Sequence, residues 1–236
     1  MKRRLETYEH LDALSHAALR MIRAKARAGA PCSICLSGGS TPERLFSLLG
    51  GAEGRSLPWP DIRLFWADER FVPEDHPGNN FRAARRLLVD RVPISEANVH
   101  PVNTSLDTPE AAADDYEAIL RECFDPVQGK TFDVALLGIG EDGHTASLFP
   151  GYTPAQDRWA VAVEGPAYRP PRERITLTPA VLNQAETVVF MVAGAAKRET
   201  LRRILDNDPA LPASHICGLQ ETVILADATA APHSPA

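Results

Sequence analysis

No stretch of this sequence approaches the roughly 18 consecutive apolar residues that a membrane span needs, so no membrane role is expected. Positive charge is not in excess either. The 25 Lys and Arg stand against 31 Asp and Glu, a formal net charge of −6. Nucleic-acid binding rests on neutralising many phosphates and is not expected; an anionic small molecule is compatible wherever cations are concentrated locally. Cysteine is scarce. The four include a CxxC at Cys32 and Cys35, but that pair falls in a run read as a strand, where positions three apart face opposite sides about 10 Å apart, beyond disulfide reach. Cys123 and Cys217 stand alone and supply no second ligand pair for zinc, so all four are expected as buried, reduced thiols. The N-terminus starts basic and continues with Glu6, Glu9 and Asp12 where a secretory leader needs an apolar core, which points to a cytoplasmic protein.

What is present is an alternation of helical and strand patterns. Leu11, Leu14, Ala18, Met21 and Ile22 recur at helical spacing and predict an amphipathic helix within Tyr8 to Ala28, stopped by Gly29. Apolar runs with no polar face predict buried strands at Pro31 to Leu36, Ile62 to Ala67, Phe132 to Leu137 and Thr187 to Val192. Helices are expected over Pro42 to Leu49, Phe81 to Val89, Thr108 to Phe124 and Ala195 to Leu205. Short strands are expected at Trp159 to Val163, Arg174 to Leu177 and, closing the sheet, Thr222 to Leu225. This order describes an α/β protein: a single-domain, three-layer, Rossmann-like fold with a mostly parallel sheet over residues 1–227. The Ala- and Pro-rich residues 228–236 read as a disordered tail.

The chain is organised around Phe132 to Gly151. A buried strand there stops at Gly138, Gly140 and Gly143, between which lie Glu141 and Asp142, with His144 following. In open α/β sheets the crevice beyond the carboxyl ends of the strands is where ligands bind, so His144 sits where chemistry is expected. The three glycines spell GxGxxG, the dinucleotide fingerprint, but that site needs an uninterrupted helix directly after them. Pro150 and Gly151 leave no room for one, and Glu141 with Asp142 would repel a pyrophosphate.

Other strand ends deliver polar groups to the same edge. Pro31 to Leu36 runs into Ser37-Gly38-Gly39-Ser40-Thr41-Pro42, where Thr41 can cap the next helix and Pro42 suits its first turn. Free backbone N–H groups, hydroxyls and the positive end of a helix dipole suit a phosphate; an ordinary strand-to-helix turn needs no ligand. Ile62 to Ala67 ends in Asp68, Glu69 and Arg70, and its loop reaches a helix capped by Asn79 or Asn80. A lone DER triplet is commonly a solvated turn, yet two strands ending in polar clusters point to one shared site. Lys197, Arg198 and Arg202 occupy a helix start, where cations are unfavourable for the helix itself and suit an anion.

Four blocks together resemble the 6-phosphogluconolactonase family: LSGGSTP at Leu36 to Pro42, WADERFVPEDHPGNNF at Trp66 to Phe81, FDVALLGIGEDGHTASLFPG at Phe132 to Gly151, and RITLTPAVLNQAETVVFMVAGAAK at Arg174 to Lys197. The resemblance implies a single α/β domain of the sugar-phosphate isomerase type with no metal and no cofactor. It also implies hydrolysis of 6-phosphoglucono-δ-lactone in the pentose phosphate pathway. It departs from the family pattern at Asn79, where Ser is usual, and in the final strand ETVILAD, which lacks a usual Trp.

The implied chemistry needs an activated water, a stabilised oxyanion and a proton for the departing ring oxygen. His144 is the candidate base, because an imidazole titrates near neutrality and can take a proton and return it. Asp68 would orient a sugar hydroxyl or the histidine, while Asp142 would shape the turn. Backbone N–H groups of the glycine turn would hold the oxyanion. The phosphate would lie against Gly39, Ser40 and Thr41, with charge from Arg70 and Lys197 as the resemblance implies, and Arg174 as a further candidate. A relative on the same fold, glucosamine-6-phosphate deaminase, carries a carboxylate five residues after its histidine, where this chain has Phe149, and a Tyr where this chain has Arg70. A non-catalytic sugar-phosphate binder is the alternative of another class.

Overall fold

The computed structural model describes residues 3–27, 29–124, 129–153 and 157–232. In chain order the strands and α-helices are β1 (Arg3–Tyr8), α1 (Leu11–Lys25), β2 (Cys32–Leu36), α2 (Ser40–Leu49), β3 (Ile62–Trp66), β4 (Asp68–Arg70), α3 (Asn80–Leu87) and β5 (Val99–His100). They continue with α4 (Pro109–Cys123), β6 (Val134–Gly138), β7 (Ala160–Glu164), β8 (Glu173–Leu177), α5 (Pro179–Leu182), β9 (Thr187–Val192), α6 (Arg198–Leu205) and β10 (Glu221–Asp227).

Seven of the strands form one sheet in the order β1-β10-β9-β6-β2-β3-β5, parallel at every pairing. Parallel strands buried on both faces need apolar side chains on both, which is why β2, β6 and β9 read as unbroken apolar runs. The two-residue alternation of a strand then sorts them. Val188, Phe190 and Val192 of β9 enter one core with Tyr116 and Leu120 of α4, while Val189 and Met191 enter the other with Leu14 of α1 and Phe46 of α2. Cys32 and Cys35 part in the same way, each buried in a different core. All four cysteines are free, and burial pushes the Cys32 thiol up to about 12, so it is a poor nucleophile.

The structure departs from the sequence reading at several elements. β1 lies outside β10, so Thr222 to Leu225 belongs to an interior strand and does not close the sheet. Asp68 to Arg70 is itself a strand, β4, and with β8 and β7 it forms a separate antiparallel sheet in the order β4-β8-β7. α2 begins at Ser40 behind Gly39, whose φ of 108° is left-handed, and Thr41 lies inside the helix with no side-chain capping bond. The segment expected as one helix from Ala195 opens as a 3-10 turn over Ala195–Lys197 before α6. Asn79 caps α3 by accepting from the Arg82 N–H at 2.9 Å, as Thr108 caps α4. Of residues 228–236, Ala230 is buried and its N–H donates to Asp227 Oδ1 at 2.7 Å; residues 233–236 lie outside the described residues. Among the described residues no helix is long and apolar enough to cross a membrane.

Candidate active site

A polar cleft of about 370 Å³ opens beyond the carboxyl ends of β2, β3, β6 and β9. Each strand hands its wall a different group: Ser37 to Thr41 after β2, Asp68 and Arg70 on β4 after β3, Gly140, Glu141 and His144 after β6, and Lys197 after β9. Gly39, Ser40, Thr41, Asp68, Arg70, His144, Arg174 and Lys197 all line it. A larger groove of about 680 Å³ runs past Leu148, Tyr152, Pro179 and Pro212, but among the described residues no Asp, Glu, Lys or Arg lines it.

The glycine turn after β6 shapes the histidine. Gly143 has φ of 83°, a conformation that a side chain resists, and lets the chain reverse so that Gly140 N–H donates to the His144 carbonyl at 2.7 Å. A Cβ on Gly140 would fall 1.9 Å from His144 Nδ1, so the ring lies directly on bare backbone. Asp142 Oδ1 is hydrogen-bonded to His144 Nδ1, and accepts from the His144 N–H at 3.2 Å. The Asp142 carboxyl is buried enough to be pushed up, yet the His144 bonds outweigh this and hold it well below the usual carboxylate range. An ionised Asp142 fixes the tautomer with the proton on Nδ1 and leaves Nε2 as the acceptor. Nε2 has no hydrogen-bond partner among the described residues. The ring of Phe149 packs against the imidazole, centroids 4.9 Å apart.

One expectation is corrected here. Asp68 does not orient the histidine. Its Oδ2 accepts from Ser147 Oγ at 2.6 Å and its Oδ1 faces Asn80 Nδ2 at 3.4 Å, which ties it to β4 and α3. Within the glycine turn the N–H groups of Gly140, Gly143 and His144 are each bonded to the turn itself. No helix follows the glycines among residues 139–153, which removes the dinucleotide fingerprint.

The cleft concentrates cations. Arg70, Arg169, Arg174 and Lys197 line it against the carboxylates of Asp68 and Glu141. Arg70 and Arg174 lie directly opposite each other across β4 and β8, a like-charge pairing that is unfavourable unless an anion sits between. Burial, followed by the nearby Arg70 charge, lowers the Arg174 pKa. Burial likewise lowers that of Lys197, opposed by Glu141. Each guanidinium has one anchor: Arg70 Nη1 donates to the Gly78 carbonyl at 2.8 Å and Arg174 Nη2 to the Arg169 carbonyl at 2.9 Å. The Nε atoms of Arg70, Arg169 and Arg174 and the Ser37 hydroxyl are buried without partners. Buried donors left open in a polar cleft are the mark of a ligand site. The first N–H groups of α2, which have no intrahelical acceptor, face the same space. Among the described residues no group of three or more His, Cys, Asp or Glu is placed to hold a metal ion.

Sequence reasoning did not single out Arg169, Asn80 as a partner of Asp68, or Asp142 as the histidine's partner. The Asp-x-His spacing within a glycine turn was the available signal for Asp142. For the other two, contacts far apart in sequence decide.

An all-parallel sheet whose carboxyl edge carries a cation-lined polar cleft defines an α/β protein with its crevice at the strand ends, where ligands bind in such sheets. The family described as "Glucosamine-6-phosphate isomerases/6-phosphogluconolactonase" matches residues 6–225, and the chain belongs to it. It is 43% identical over 203 residues to the 6-phosphogluconolactonase of Synechocystis sp., covering 83% of this chain and 81% of that one. To the human 6-phosphogluconolactonase it is 40% identical over 190 residues, covering 79% and 73%. The crystal structure of 6-phosphogluconolactonase from Thermotoga maritima superposes with a TM-score of 0.85 at 32% identity, covering 96% of this chain and 100% of that one.

Proposed function

We propose that the cleft hydrolyses the ring ester of 6-phospho-D-glucono-1,5-lactone to 6-phospho-D-gluconate, in the oxidative pentose phosphate pathway, with His144 as general base. The observation that carries this reading is the state of His144: Nδ1 engaged by an ionised Asp142, Nε2 without a partner, at the wall of a cation-lined cleft.

Water held by Nε2 gives up a proton as its oxygen bonds to C1, and the carbonyl electrons move onto oxygen. The resulting negative charge develops in a cleft with four cations. Collapse of the tetrahedral intermediate breaks the bond from C1 to the ring oxygen, and the imidazolium returns its proton to that oxygen. The product carboxylic acid then ionises. One histidine serves both transfers, and Asp142 steadies the imidazolium between them. The 6-phosphate lies at the α2 N-terminus, on the N–H groups and hydroxyls of Gly39, Ser40 and Thr41, with Arg70, Arg174 and Lys197 supplying charge. Asp68, anchored by Ser147 and Asn80, is placed to accept from a sugar hydroxyl. A cytoplasmic location is part of the same proposal.

Deamination of glucosamine 6-phosphate is disfavoured by Phe149, whose apolar ring covers the imidazole where that reaction places a carboxylate. The test is an assay of both substrates on the same protein: lactone loss above the spontaneous rate without ammonia release supports the reading, and ammonia release without lactone loss rejects it.

A further inference from the structure

The loop between β7 and β8 carries two neighbouring side chains, of which the reaction above leaves Tyr168 without a role. Tyr168 is 69% exposed, yet its hydroxyl donates to Asp142 Oδ2 at 3.0 Å. Arg169, the next residue, lines the cleft. Asp142 is therefore held at both oxygens, by His144 on Oδ1 and by Tyr168 on Oδ2. A carboxylate bonded at one oxygen turns easily about its last torsion, which is broad and shallow. Bonded at both, its plane is set, and the imidazole it holds is set with it.

The loop has no need of this bond for its own order. Gly165 N–H donates to the Arg172 carbonyl at 2.7 Å, Arg169 N–H to the Pro166 carbonyl at 2.9 Å, and Arg174 Nη2 to the Arg169 carbonyl at 2.9 Å. Arg172 pairs with Glu164 at 2.7 Å. An exposed tyrosine reaching back to a half-buried carboxylate across an already anchored loop acts on the carboxylate.

We propose that Tyr168 is a positioning residue for His144, acting through Asp142. This rests on the reading of His144 as the base. The charged and titratable groups facing the dyad are Glu141 in the same turn, Lys197 in the turn before α6, Arg169 in the loop and Arg174 on β8, with Tyr168 itself. Tyr168→Phe removes one hydroxyl and leaves all of these, including the ring that Arg169 approaches at 5.8 Å.

The experiment has two readouts on Tyr168→Phe. In the substrate-free protein, the Nδ1–H proton of His144, identified by its absence in His144→Gln, is followed by proton NMR. Its signal is expected to broaden or vanish in Tyr168→Phe as the bond to Asp142 loosens and the proton exchanges with solvent. On the lactone, kcat is expected to fall roughly tenfold with KM unchanged, the cost of one hydrogen bond to a charged group. An unchanged proton signal overturns the proposal, as does an unchanged kcat, and a raised KM alone would make Tyr168 a substrate contact instead. The NMR readout needs no lactone. A protein inactive on the lactone would refute the hydrolase reading while the signal still decides the role of Tyr168.

Discussion

Asp142 grips His144 twice from within one glycine turn, at ring Nδ1 and, at 3.2 Å, through the backbone N–H. The proposed base and its carboxylate are thus placed by the same few residues, and Tyr168 adds a hold on the carboxylate from the β7–β8 loop. Asp142→Asn can present its amide NH2 to Nδ1 and select the wrong tautomer. Turnover is expected to fall by roughly 10² to 10⁴, with phosphosugar affinity little changed. Steady-state kinetics beside a binding titration checks this.

Gly140→Ala tests how closely the ring lies on the backbone. The added Cβ meets His144 Nδ1 at 1.9 Å and Asp142 Oδ1 at 2.5 Å, so the dyad must be displaced. Turnover should drop about as far as in His144→Ala while the fold persists, since the neighbours displaced are side chains at the rim of the cleft. Activity near wild type would show that the ring tolerates another position.

Arg70→Ala removes one of two facing guanidiniums. KM for the phosphorylated lactone is expected to rise roughly 10- to 100-fold, the cost of charge-assisted bonds to phosphate, with kcat less affected. Inorganic phosphate should inhibit the wild type competitively and this variant weakly. An unchanged KM would remove Arg70 from the phosphate site.

Glu69 is fully buried and accepts the N–H groups of Arg70, Asn80 and Phe81 at 2.8, 2.6 and 2.8 Å, joining β4 to the start of α3. Burial nevertheless pushes its pKa up to about 7, against those three donors. The folded state therefore binds a proton that the unfolded chain releases near the ordinary carboxylate value. The stabilisation from this group is fully present below that value and is lost as pH rises through about 7. The loss amounts to roughly 3 kcal/mol. Urea denaturation at several pH values should show this slope in the wild type and not in Glu69→Gln, so that it remains in the difference between the two.

The parallel sheet and the cleft were legible because β2, β3, β6 and β9 are largely buried on both faces and stop abruptly at polar residues or glycines. Such runs announce both the strand and the edge where it stops. β1 was not legible: RRLETY alternates charge with partly buried positions, the pattern of an edge strand, and its partner β10 lies more than 200 residues away. β4 was hidden for a related reason. Asp, Glu and Arg have weak strand preference, and their strand exists through antiparallel pairing with β8. Asp142 was read as a turn former, and the position of a side chain two residues from a histidine follows from glycine dihedrals that a sequence does not display. Thr41 was read as a cap because hydroxyls commonly are. Here the left-handed Gly39 starts the helix two residues earlier than that reading allows and leaves the first N–H groups open to the cleft.

The central claim is that His144 turns this cleft into a lactone hydrolase. The most direct measurement is the rate of disappearance of freshly generated 6-phosphoglucono-δ-lactone with wild type, with His144→Ala and with no protein, both proteins first shown to bind the phosphosugar. The account predicts wild-type loss far above the spontaneous rate and His144→Ala loss close to it, at comparable phosphosugar affinity. A wild-type rate equal to the spontaneous rate would contradict hydrolysis and leave a phosphosugar-binding protein; a His144→Ala rate equal to wild type would contradict the assignment of the base.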